Sequence, residues 1–101
     1  MRFVLTSCFA MAILFSAAVQ ANAAKGQSTY ASRGCIACHG AGGISTVANY
    51  PSLKGKSAEY IRKNLADFRS GARVNQVMNT MASSLSDADI ANLGDYIGSL
   101  R

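Results

Sequence analysis

The most limiting feature of this chain is Cys35-Ile36-Ala37-Cys38-His39, a tight group of soft ligands in a sequence with little else to build a core from. The 101 residues suffice for one small domain, and part of that length does not belong to it. Arg2, an apolar run over residues 10–19 and the small-x-small triplet Ala21-Asn22-Ala23 predict a secretory signal peptide over residues 1–23, with one domain over 24–101. A transmembrane anchor would need about 20 apolar residues. Here Thr6, Ser7 and Ser16 interrupt a short run, and no basic stop-transfer cluster follows. Cys8 lies too near the start to have a hydrophobic region before it, which argues against lipidation. Cleavage after Ala23 leaves 78 of the 101 residues and two of the three cysteines. A chain so short buries a marginal core and usually needs a disulfide, a metal or a cofactor. A disulfide between Cys35 and Cys38 would close a tiny loop and constrain the unfolded chain very little.

The remaining sequence reads as all-α, with no convincing strand alternation. A short helix is expected within residues 25–38, ending at the cysteine pair. Gly40, Gly42, Gly43, Pro51 and Gly55 predict a loop over residues 40–56. Ser57 can cap a helix running to about Ser70, with Ile61, Leu65 and Phe68 on one face and Gly71 as its terminator. Residues 71–84 read as a second irregular stretch. Ser86 and Asp89 form an acidic variant of the capping box. Ile90, Leu93, Gly94, Ile97 and Leu100 then make the buried stripe of the last helix.

The pattern C-x-x-C-H is a signal for covalent haem attachment. Each thiol can add to a haem vinyl group, two intervening residues set the sulfurs beneath the two vinyls, and the following histidine reaches the iron. Three rivals are weaker. A thioredoxin-like redox pair wants a βαβ context, which is absent. A zinc site wants four ligands, and only Cys35, Cys38 and His39 remain after cleavage. A surface histidine beside a disulfide leaves the small core unexplained. No set of acid, base and nucleophile suggests an enzyme.

Beyond this motif, the chain resembles class I c-type cytochromes of the small bacterial periplasmic kind. Similar domains occur in fused dihaem cytochromes and in cytochrome subunits of sulfide-oxidising flavoenzymes. The resemblance rests on Cys35-Ile36-Ala37-Cys38-His39-Gly40, Tyr50-Pro51-Ser52-Leu53-Lys54-Gly55, Tyr60, Phe68-Arg69-Ser70-Gly71, Met78-Asn79-Thr80-Met81-Ala82, Leu85-Ser86-Asp87 and Tyr96-Ile97. It implies a class I cytochrome c fold, a few helices around one haem c, and periplasmic electron transfer. It implies that the Pro51 carbonyl accepts a hydrogen bond from His39, that Leu53 packs on the haem, and that Gly26 and Tyr30 cross the last helix opposite Leu93 and Tyr96. His39 is the sole histidine, so a second axial ligand comes from Met78, Met81, a lysine, or no residue. The resemblance selects Met78, because the family's ligand stands seven residues before the apolar residue of the Leu-Ser-Asp helix start. An open iron site would instead suit a small-ligand binder. The residues that bind the haem propionates stay open, with Tyr60 and Arg73 as candidates.

Charge narrows the partners. Ten Lys and Arg face five Asp and Glu, or nine against five once Arg2 is removed. The excess is small for nucleic acid. Lys54, Lys56, Arg62, Lys63, Arg69 and Arg73 crowd one segment with only Glu59 and Asp67. That segment is either an ordinary solvated face or a basic docking face for an acidic redox donor or acceptor, such as a dehydrogenase or oxidase.

Overall fold

A computed structural model describes the backbone of residues 2–101 and the side chains of residues 17–101. The apolar centre of the expected signal peptide, up to residue 16, lies outside the described side chains. Five helices follow in order: α1 Arg2–Ser32, α2 Cys35–His39, α3 Ala58–Ser70, α4 Gln76–Ala82 and α5 Asp87–Gly98, with a 3-10 turn at Ala41–Gly43. There is no strand among the described residues, and the all-α expectation holds.

Several boundaries differ from the sequence reading. The short helix expected within residues 25–38 is instead the end of α1, which runs unbroken from Arg2. The first helix does not run to the cysteine pair. It stops at Ser32, and Gly34, at φ 80°, turns the chain so that Cys35 starts a separate helix. An L-residue avoids that left-handed conformation, and glycine adopts it freely. Residues 71–84 are not wholly irregular, because α4 occupies Gln76–Ala82. The Asn75 side chain accepts the Met78 N–H at 3.0 Å and caps α4. The last helix ends at Gly98, so Leu100, expected in its buried stripe, lies beyond it and is only half-buried. The caps named from sequence hold. Ser57 accepts the Tyr60 N–H and opens α3, Gly71 closes it at φ 87°, and Ser86 and Asp89 exchange both bonds of a capping box.

The core is thin. Tyr30, Ile61, Ala82, Leu85, Ile90, Leu93 and Ile97 are its buried apolar residues. The helix α5 is central, since α1 packs along one side of it and α3 along another. At the α1–α5 crossing the Tyr30 and Tyr96 rings tilt together with centroids 5.4 Å apart. Gly26 makes the approach possible: a Cβ there would overlap the Asn92 carbonyl and sit 2.7 Å from the Tyr96 Cβ. Gly26→Ala should therefore prise α1 from α5 and cost about 1–3 kcal/mol. A chemical-denaturation midpoint unchanged from wild type would show that the crossing is looser than this contact requires.

Candidate haem site

The α2 helix is a single turn with a specific output. Cys35 and Cys38 stand three residues apart, so they share a face. They line a slot of about 400 Å³ together with His39. The two thiols are not bridged to one another. Burial pushes the Cys35 thiol above its ordinary pKa, the largest influence on it, and so keeps it protonated. Among the described residues no group of three or more His, Cys, Asp and Glu side chains is arranged to hold a metal ion by itself.

His39 is buried, 8% exposed, and its Nδ1 lies 2.8 Å from the Pro51 carbonyl oxygen. A carbonyl can only accept, so Nδ1 carries the proton and donates. Nε2 then keeps its lone pair free for a ligand bond. The loop holding Pro51 is itself pinned. The Leu53 and Lys54 N–H groups both donate to the Gly43 carbonyl, at 2.8 and 3.0 Å, and Ser52 Oγ accepts from the Ser45 N–H at 2.9 Å. Leu53, expected against the haem, lines the slot.

The rest of the wall comes from α3 and α4. Ile61, Leu65 and Phe68 line the slot as their helical spacing predicts, with Leu65 and Phe68 only half-buried. Both methionine candidates reach it from α4. Met78 is half-buried, whereas Met81 is 39% exposed. The Met81 methyl lies 3.7 Å from where a Cβ on Gly34 would stand, which places it at the turn into α2.

Several roles at the site were missed from sequence. Tyr30, 1% exposed, donates its hydroxyl to the Gly40 carbonyl at 2.5 Å and so ties the α1–α5 crossing to the end of α2. Lys56, Asn64 and Asn75 also line the slot. The signal for Asn64 was available: it stands four residues after Tyr60, on the edge of the slot-facing side of α3. Tyr30 has a pH consequence. Its phenol is pushed up to about 12, mainly by burial, then by the nearby Cys35 and Tyr96. A neutral acid with a raised folded pKa contributes stability that is fully present below the ordinary value near 10. That contribution is lost as pH rises from about 10 toward 12. Tyr30→Phe should cost about 1 kcal/mol at neutral pH and should flatten the alkaline fall. Urea midpoints that decline equally in both proteins between pH 9.5 and 11.5 would place the titrating group elsewhere.

The slot fits a large planar apolar group. Its walls are chiefly apolar, two thiols lie on one face of α2, a tautomerically fixed imidazole stands beside them, and a thioether comes from α4. An all-helical fold around such a site defines a protein built on covalently attached haem. The comparisons agree: the family model described as Cytochrome c matches residues 23–101, and the chain belongs to the cytochrome c family. Haem c, bound covalently through a C-x-x-C-H motif, is the cofactor of that family, and Cys35, Cys38 and His39 form the motif here.

Among relatives, the chain is similar to the thiosulfate dehydrogenase electron acceptor of Stutzerimonas stutzeri strain A1501. The two are 44% identical over 80 residues, 71% of this chain and 37% of that protein. It is 40% identical over 68 residues to cytochrome c-554(548) of Halomonas halodenitrificans, covering 64% of this chain and 82% of that one. The crystal structure of reduced cytochrome c4 from Pseudomonas stutzeri superposes with a TM-score of 0.73 at 34% identity, over 81% of this chain and half of that one. The chain spans about a third of the length of the first curated relatives it matches.

Proposed function

We propose that this chain is an exported one-electron carrier. Cys35 and Cys38 would hold haem c through thioethers, and His39 and Met78 would supply the two protein ligands to its iron. One observation carries the reading: the His39 Nδ1 bond to the Pro51 carbonyl leaves Nε2 free in the same slot that Met78 enters from α4. When bound, haem c supplies an iron that accepts and releases one electron between its ferric and ferrous states. The chain's residues set the conditions for that change. The Pro51 carbonyl fixes the His39 ring and raises its basicity. The Met78 sulfur, soft and neutral, favours the ferrous charge state and raises the potential. Leu53, Leu65 and Phe68 exclude water. Two protein ligands leave no position for an external one, which suits transfer over small-molecule binding, and the reading assigns the chain no reaction of its own.

Export rests on the Ala21-Asn22-Ala23 site and on a family match that begins at residue 23. Among the described residues no helix is long and apolar enough to cross a membrane. The destination is then the periplasm, with the domain over residues 24–101. The carrier's partners are redox proteins. The likeness to a thiosulfate dehydrogenase electron acceptor favours a second reading, in which the chain serves as the cytochrome subunit of a sulfur-compound dehydrogenase. An acidic docking surface on the partner draws its support from Lys54, Lys56 and Arg73. The other three bases of that segment are engaged internally, Arg62 with Asp95 at 3.0 Å, Lys63 with Asp67 at 2.6 Å and Arg69 with Asp87 at 2.7 Å.

The test is a potentiometric titration of the purified protein followed by absorption, with carbon monoxide added to the reduced form. A reversible one-electron wave and no response to carbon monoxide are expected. A spectrum that shifts with carbon monoxide would replace the carrier with an open-site haem binder.

A further inference from the structure

The two sides of the slot are built by separate parts of the chain. Residues 24–56 supply Cys35, Cys38, His39 and Pro51, and α4 supplies Met78. The helix α4 packs chiefly on α3. Its polar ties lead back to α3 as well. Asn79 donates to the Phe68 carbonyl, and Arg69 reaches the linker beyond α4, donating to the Leu85 carbonyl at 3.1 Å and to Asp87 at 2.7 Å. Toward the other side of the slot, a single side chain spans the seam. Arg33, just before the turn at Gly34, donates to Ser84 Oγ at 2.9 Å and pairs with Asp89 Oδ2 at 3.7 Å. Among the described residues these are the only polar contacts between residues 24–56 and residues 71–89. The groups that receive Arg33 are themselves held. Asp89 Oδ2 also accepts the Ser86 N–H at 3.0 Å, and the Leu85 N–H donates to the Ala82 carbonyl at 3.1 Å, which closes the turn that carries Ser84. The Met81 methyl reaches the same seam, at Gly34.

We propose that Arg33 is a positioning residue for Met78: by tying the α1–α2 turn to the α4–α5 linker it holds α4 against the slot and slows departure of the Met78 sulfur from the iron. The proposal rests on the haem and Met78 readings above. A guanidinium suits the task, because its planar fork offers one nitrogen to the hydroxyl and another to the carboxylate, where an ammonium is a point charge. Arg33 does not line the slot, so its loss leaves the ligand set as it was. What changes is how often α4 lifts. Local opening draws on the bonds that join one segment to the rest, and its free energy lies below that of global unfolding. Thioethers at Cys35 and Cys38 hold the other side in place throughout, so release falls to the Met78 side.

The experiment mixes oxidised holoprotein with excess imidazole and follows loss of the far-red sulfur-to-iron band. An imidazole nitrogen replaces the Met78 sulfur, and the iron stays ferric. Arg33→Gln should keep the band at rest and exchange about three- to tenfold faster, the size expected when one exposed ion pair and one hydrogen bond are lost. Arg33→Lys keeps the charge without the fork and should fall between Arg33→Gln and wild type. Ser84→Ala removes only the hydrogen bond and should accelerate exchange by less than Arg33→Gln; it carries the test by itself if Arg33→Gln fails to fold. Arg62→Gln is the control. It breaks a similarly exposed ion pair, the 3.0 Å contact with Asp95 between α3 and α5, and should exchange at the wild-type rate. Wild-type rates in Arg33→Gln and Ser84→Ala, or an equal acceleration in Arg62→Gln, overturn the proposal and leave the carrier reading standing. A wild-type protein that lacks the far-red band overturns the Met78 assignment, and the proposal with it.

Discussion

Replacing Cys35 and Cys38 together with Ser is expected to yield a chain that does not unfold cooperatively. The reason lies in how little the protein buries by itself. Among the described residues seven apolar side chains are buried, while Leu53, Leu65 and Phe68 are half-buried around a slot of about 400 Å³. Full burial of one such side chain is worth about 1.5–3 kcal/mol. Leaving three of them partly wet forgoes several kcal/mol, against a total stability of about 5–15 kcal/mol for a typical domain. The slot also separates α3 and α4 from α2, so the loops that carry Pro51 and Arg73 would lose what they close upon. Covalent attachment keeps the group in place through every local opening. Far-UV circular dichroism during a urea titration of the haem-free double variant is the measurement. A sigmoidal transition of native-like amplitude would mean that the helices form a core without help.

Met78→Ala is expected to abolish the far-red sulfur-to-iron absorption of the oxidised protein and to lower its potential, while Met81→Ala keeps the band. Both thioethers line the slot from α4, so sequence spacing alone does not separate them. Their surroundings differ. Met78 is half-buried, and its N–H is bonded to the Asn75 cap. Met81 is 39% exposed, with its methyl toward Gly34. Loss of Met81 should then cost less than the about 2–5 kcal/mol of a fully buried methionine. Absorption spectra of the two oxidised variants decide the matter, and the reverse pattern would transfer the ligand role to Met81.

What could be read from sequence was local or chemically distinctive. Ser57, Gly71, Ser86 and Asp89 act through hydrogen bonds to neighbours within three or four residues, so their roles are visible without the fold. The motif at Cys35 to His39 is equally local. The helix α4 was missed because seven residues give too few turns for a hydrophobic period, and its start depends on the Asn75 cap. The break at Gly34 was missed because nothing in residues 25–38 shows which glycine takes φ 80°. The ion pairs of Arg62 and Arg69, and the Tyr30 bond to Gly40, join residues 10 to 33 apart. Such contacts depend on helix packing, which the sequence does not display.

Asn79 has a mechanical consequence. Its amide nitrogen donates to both the Phe68 and the Arg73 carbonyls at 2.9 Å, and its amide oxygen accepts the Asn75 N–H at 2.8 Å. One side chain thus splints the end of α3, the turn after it and the first turn of α4 into a single body, with Met78 as the next residue along. If Met78 is the iron ligand proposed above, the backbone that carries its sulfur is braced against movement when the charge beside it changes. Little nuclear rearrangement would then accompany each change of oxidation state, and a small rearrangement is what lets an electron cross quickly in both directions.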